Sequence, residues 1–124
     1  MATNLKVLAV DDDMINLKLL KSMLTKNDQI AEVIEARNGA DAIEVLKKRH
    51  DIDMILLDII MPVMGGLEML QIVRADENLK QLPIIVLTTD ETKKTEALEL
   101  GANGFLMKPV RAADVAEKIA TLAL

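Results

Sequence analysis

The chain has no cysteine, tryptophan or tyrosine, and only one phenylalanine and one histidine. Without cysteine there can be no disulfide, no thiolate metal site and no cysteine nucleophile. A lone histidine, His50, speaks against a histidine-based triad or a multi-histidine metal centre, and reads as a solvated surface residue. With Phe105 as the one aromatic ring, nucleic-acid bases would find almost nothing to stack on. Positive charge is also scarce: 15 Lys and Arg against 20 Asp and Glu leave a net charge of −5, a poor match for phosphate backbones, so no direct nucleic-acid binding is expected. No apolar run approaches the roughly 20 residues of a membrane span. The opening stretch lacks a basic segment followed by a long apolar one, so no signal peptide, no membrane association and a cytoplasmic address are expected. The chemistry is left to carboxylates, hydroxyls and lysines.

What is present is a regular alternation. The 124 residues suit one domain, taken as residues 1–124. Short apolar runs stand at Val7–Val10, Val33–Ile34, Met54–Leu57, Ile84–Leu87 and Phe105–Met107. Between them come stripes at helical spacing: Leu17, Leu20, Leu24; Ala42, Val45, Leu46 with the stem of Arg49; Leu67, Leu70, Val73; Ala97, Leu100; and Ala113, Ala116, Ile119, Ala120, Ala123. A strand–helix unit repeated five times predicts an α/β fold, a parallel sheet with helices on both faces. The first, third and fourth runs are uninterrupted and suit central strands. The second carries Glu32 and Glu35, and the fifth ends in Lys108-Pro109, as edge strands do. That predicts a single doubly wound (βα)5 domain with sheet order 2-1-3-4-5. Asp13 is placed to cap the first helix, Asn38-Gly39 marks the entry to the second, and Gly101 is placed to end the fourth.

The reactive residues fall where strands end. Asp11, Asp12 and Asp13 follow the first strand, Asp58 the third, Thr88 and Thr89 the fourth, and Lys108 the fifth. Open α/β sheets bind ligands outside the carboxyl ends of the strands, at the switch point of the strand order. Order 2-1-3-4-5 puts that point between the first and third strands, which gathers Asp11, Asp12 and Asp58 with Thr88 and Lys108 beside them. Crowded carboxylates repel unless a cation offsets them. All-oxygen ligands favour Mg2+ over zinc. A lysine and a hydroxyl alongside suit phosphoryl oxygens, and Asp58 is a candidate nucleophile.

The stretches Val7–Asp13, Met54–Gly66, Pro83–Thr89 and Gly101–Pro109 together resemble the response-regulator receiver domain, the CheY-like family of two-component signalling, over essentially the whole chain. The resemblance implies a flavodoxin-like fold and a phosphorylatable switch rather than an enzyme acting on other substrates. It implies that Asp58 takes a phosphoryl group from a histidine kinase or phosphotransfer protein. Asp12 would be a direct Mg2+ ligand, Asp11 a ligand through water, and the Ile60 backbone carbonyl a further contact. Thr88 would be the switch hydroxyl, Lys108 the partner of Asp58 and then of its phosphate, and Phe105 the aromatic switch ring. The fourth helix, fifth strand and fifth helix would be the output face toward a protein target or fused output domain. A cis Lys108–Pro109 bond is also expected.

Some features depart from the family pattern. The stretch from Thr88 to Lys108 is two residues shorter than in most members, which places the loss before or in the first turn of the fourth helix. Thr89 replaces a smaller residue, Val110 a frequent phenylalanine, and Phe105 lacks the hydroxyl of tyrosine. Ile60 and Asp90 flank the path of a hydrolytic water; Ile60 cannot hold one, so slow self-dephosphorylation is expected. A haloacid-dehalogenase-type phosphatase is the competing reading. It needs D-x-D, and Ile60 stands at the second position. Lys93-Lys94 reads as a solvated face, and Met61, Met64 and Met69 as packing filler.

Overall fold

The computed structural model describes residues 4–59, 61 and 63–122. Five strands, β1 (Leu5–Val10), β2 (Ile30–Ala36), β3 (Met54–Asp58), β4 (Ile84–Thr88) and β5 (Gly104–Met107), alternate with α1 (Met14–Thr25), α2 (Gly39–Lys48), α3 (Gly66–Ala75), α4 (Lys94–Glu99) and α5 (Ala112–Leu122). All pairings are parallel, in the order β2-β1-β3-β4-β5, so the fold is the flavodoxin-like one expected. Strand period 2 divides the core in two. Leu8, Val10, Ile55, Leu57, Ile84 and Val86 face α2, α3 and α4, whereas Val7, Ala9, Met54, Leu56, Ile85 and Leu87 face α1 and α5. The central strands β1, β3 and β4 are buried almost throughout, whereas the edge strand β2 is exposed or half-buried at every position before Ala36. Its carboxylates find cations: Glu32 pairs with Arg49 at 2.9 Å and Glu35 with Lys21 at 3.4 Å.

Helix ends follow local chemistry. Asp13 caps α1 by accepting from the Ile15 and Asn16 amides, and Asn38 caps α2 by accepting from Asp41. Gly101 closes α4 at φ +109°, a conformation L side chains resist. Between β4 and β5 stand one 3-10 turn, Glu91–Lys93, and an α4 of only 6 residues.

Two stripes differ from expectation. In α5 the buried residues are Val115 and Ile119, while Ala113 is exposed. The contact line runs through the larger side chains, whose burial removes more apolar surface from water. Ala123 lies outside the described residues. Arg49 falls just past the end of α2 as its C-cap, and its guanidinium reaches Glu32 and Asp51.

Candidate functional site

The carboxyl edge of the sheet carries the reactive groups. Asp11 directly follows β1, and β1 lies beside β3, in register Val10 to Leu57, so Asp11 and Asp58 emerge side by side. Asp11 and Asp58 are 2% and 6% exposed, while Asp12 projects to solvent. Carboxylate oxygens of all three lie within 4.8 Å of one another.

Lys108 reaches across from the end of β5. Its Nζ stands 2.9 Å from Asp11 Oδ2 and 3.3 Å from Asp58 Oδ1. The lysine expected to pair with Asp58 therefore bridges two carboxylates, and Asp11 is the nearer. Burial pulls the ammonium's pKa down, but the hydrogen bond to Asp11 and the charges of Asp58 and Asp11 outweigh it, so the pKa lies above that of an ordinary lysine. The Lys108–Pro109 bond is cis, as expected. The other Asp11 oxygen accepts from the Asp13 amide at 2.9 Å, so both oxygens of Asp11 are oriented while Asp12 remains open to solvent.

Backbone packing holds Asp58 in place. A Cβ at Gly66 would collide with the Asp58 carbonyl oxygen, so only glycine lets α3 begin this close to the end of β3. The Gly66 amide donates to the Ile59 carbonyl at 2.8 Å, and Met64 is tied to the start of α2 by the Gly39 amide at 3.0 Å. Met61 and Met64 pack on the core and Met69 is fully buried in α3, as filler should be. Ile60, expected to offer its carbonyl, lies outside the described residues, as does Pro62.

Thr88 ends β4 and is 1% exposed. Alternation along β4 places it on the face of Val86, toward α4, and opposite in parity to Leu87. Its hydroxyl accepts from the Asp90 amide at 3.1 Å. Phe105 pairs with Val86 in register and packs on the same core cluster, which makes it a diagonal neighbour of Thr88. Met107, paired with Thr88, is exposed at the sheet edge. Thr89 is exposed beside the site, and His50 is exposed at the other end of the molecule's sheet, as expected.

Asp90 is not free to face the pocket. Its Oδ1 caps the 3-10 turn by accepting from the amide of Thr92 at 3.0 Å and from the Thr92 hydroxyl. Those bonds hold its carboxyl below the usual carboxylate range. Thr92 escaped the sequence reading. The signal was present in Thr-x-Asp-x-Thr, where short polar side chains two residues apart bond their own backbone. A cleft of about 210 Å³ opens from Asp11 and Lys108, between Asn16, Leu19 and Met23 of α1 and the Pro109–Val110 segment.

The donor set is oxygen only, clustered, net negative and partly open to solvent. It fits a hard divalent cation such as Mg2+, with Asp11, Asp12 and Asp58 as the residues that would hold it.

The model of the response regulator receiver domain matches residues 7–120. Chemotaxis protein CheY-3 of Vibrio cholerae is 36% identical over 118 residues, covering 94% of this chain and 89% of that one. The crystal structure of V. cholerae chemotaxis protein CheY4 superposes with a TM-score of 0.85 at 34% identity, over 95% of this chain and 98% of that one. The receiver domain of the sensor histidine kinase PA1611 from Pseudomonas aeruginosa, whose structure holds a magnesium ion in its active-site cleft, matches with a TM-score of 0.86 at 26% identity, over 98% of both chains. The chain belongs to the response-regulator receiver family, the phospho-accepting domains of two-component signalling.

Proposed function

We propose that Asp58 is the phospho-acceptor, that Asp11 and Asp12 bind Mg2+ with it, and that residues 1–124 act as one receiver unit. The observation that carries this reading is the position of Lys108, within 3.3 Å of both Asp11 and Asp58. A charged amine there can follow a phosphoryl oxygen without leaving its place. In the transfer, an Asp58 oxygen attacks phosphorus of a phosphohistidine, a P–O bond forms, and the P–N bond breaks with its electrons returning to the imidazole, which then takes a proton. A bound Mg2+ supplies positive charge against the carboxylates and the incoming phosphoryl oxygens. Lys108 orients and neutralises, and Asp13 holds Asp11 through its amide.

The donor is a histidine kinase or phosphotransfer protein. Leu19 is exposed on α1 and lines the cleft to Asp11 and Lys108, and Met14 and Ile15 are exposed in the first turn of the same helix, an apolar surface suited to a donor's helices. The phosphoryl group is long-lived, because Ile60, two residues past Asp58, is apolar and cannot hold a hydrolytic water, and Asp90, two past Thr88, is a short side chain whose charge opposes the phosphate. Output runs through Thr88, Phe105 and the α4–β5–α5 face to a protein target. Among the described residues no helix is long and apolar enough to cross a membrane.

Incubation with acetyl phosphate or phosphoramidate tests the assignment. Label should appear only with a divalent cation and vanish in Asp58→Asn. Label that survives either the substitution or a chelator overturns it.

A further inference from the structure

The hydroxyl of Thr88 is held by a short chain of bonds that ends on a surface residue. Its Oγ accepts from the Asp90 amide at 3.1 Å. Asp90 is itself fixed twice: its side chain accepts from the amide and hydroxyl of Thr92, and its carbonyl accepts from the Lys93 amide at 3.1 Å. The far end of the same segment is pinned. Arg74 donates from Nε to the Gly101 carbonyl at 2.9 Å and from a terminal nitrogen to Asn103 Oδ1 at 2.8 Å. The stretch from Asp90 to Gly101 is thus anchored at both ends, and Thr88 cannot turn over the sheet edge toward Asp58 without losing the Asp90 amide.

We propose that Asp90 and Thr92 are positioning residues for the switch hydroxyl, forming a latch that holds Thr88 on the α4 face and sets how readily the site takes up a phosphoryl group. This rests on the reading of Asp58 as acceptor and Thr88 as switch. A ligand that needs the released state binds more weakly by the fraction of molecules in that state. One ordinary hydrogen bond biases such an equilibrium about fivefold. The outer bond of the latch is the hydroxyl of Thr92, which is exposed and donates to Asp90, outside the cluster of Asp11, Asp12, Asp58 and Lys108.

The test is the affinity of the intact chain for fluoroberyllate, a phosphoryl mimic, in saturating Mg2+, for wild type, Thr92→Val and Thr92→Ser. Valine keeps the shape and deletes the hydroxyl, whereas serine keeps it. Thr92→Val should bind about fivefold more tightly, and Thr92→Ser as wild type. The Asp90 amide resonance of Thr92→Val should already be displaced toward its bound position before ligand is added, with the Gly101 amide unmoved. Unchanged or weaker binding by Thr92→Val while the wild type binds overturns the latch alone. A wild type that does not bind fluoroberyllate in Mg2+ overturns the acceptor assignment and the latch with it.

Discussion

Val63 stands at φ +67° and is 84% exposed. A β-branched side chain in the left-handed region crowds its own backbone at a cost of about 1–2 kcal/mol, and burial offers no return there. Val63→Asn should therefore stabilise the fold by about 1 kcal/mol, seen as a higher urea midpoint with an unchanged slope. Lys108 poses a different problem, because its ammonium and a divalent cation compete for the charge of Asp11 and Asp58. Lys108→Met should bind Mg2+ several-fold more tightly, and its melting temperature should rise more on adding Mg2+ than that of wild type. An equal or smaller rise would show that the lysine does not oppose the metal.

Between elements, two arginines each make several polar contacts. Arg74, near the end of α3, donates to the carbonyls of Gly101, Lys80 and Leu82 and to Asn103 Oδ1, which also accepts from the Ile84 amide. One guanidinium thereby joins the α3–β4 loop, the start of β4 and the α4–β5 loop. Arg74→Ala should cost about 3 kcal/mol by urea unfolding, because it strands several acceptors at once. Arg74→Lys should recover little, since an ammonium lacks the fork. Arg49 joins the end of α2 to Glu32 on β2 and to Asp51. Its hydrogen bonds lower the pKa of both carboxyls, and theirs raise that of Arg49. A depressed carboxylate pKa contributes stability that is complete above the unfolded value of about 4 and is lost as pH falls through the folded value. The stability gap between wild type and Arg49→Met should therefore be widest at neutral pH and close below about pH 4. A gap that persists at pH 2 would mean that the stem, not the ion pairs, matters.

At the scale of the molecule, period 2 separates chemistry from readout. Lys108 meets Asp11 and Asp58 directly, while Thr88, by alternation, shares the opposite sheet face with Phe105. A signal at Asp58 must cross the sheet edge at Thr88 before it can reach Phe105 and Met107. Adding fluoroberyllate with Mg2+ should move amide resonances in the 3-10 turn, α4, β5 and α5, leaving α2 and the body of α1 nearly still. Shifts confined to α1 and α2 would place the output elsewhere.

The fold was legible because the strands centre on apolar runs, because β1, β3, β4 and β5 have reactive residues at their carboxyl ends, and because Glu32, Glu35 and Lys108-Pro109 mark the edges of the sheet. Parallel sheets admit few orders, so the meeting of Asp11, Asp12 and Asp58 followed from local pattern plus topology. Local chemistry likewise sufficed for the cap at Asp13, for the entry to α2 at Asn38 and for the stop at Gly101. Three things needed the packed chain. Lys108 lies nearer Asp11 than Asp58, because the aim of a long side chain depends on its tertiary surroundings. The α5 contact line runs through Val115 rather than Ala113, because burying the larger side chain removes more apolar surface from water. Asp90 is bound to Thr92 and its amide to Thr88, because the short polar side chains could have faced water until the 3-10 turn before α4 brought their donors and acceptors together.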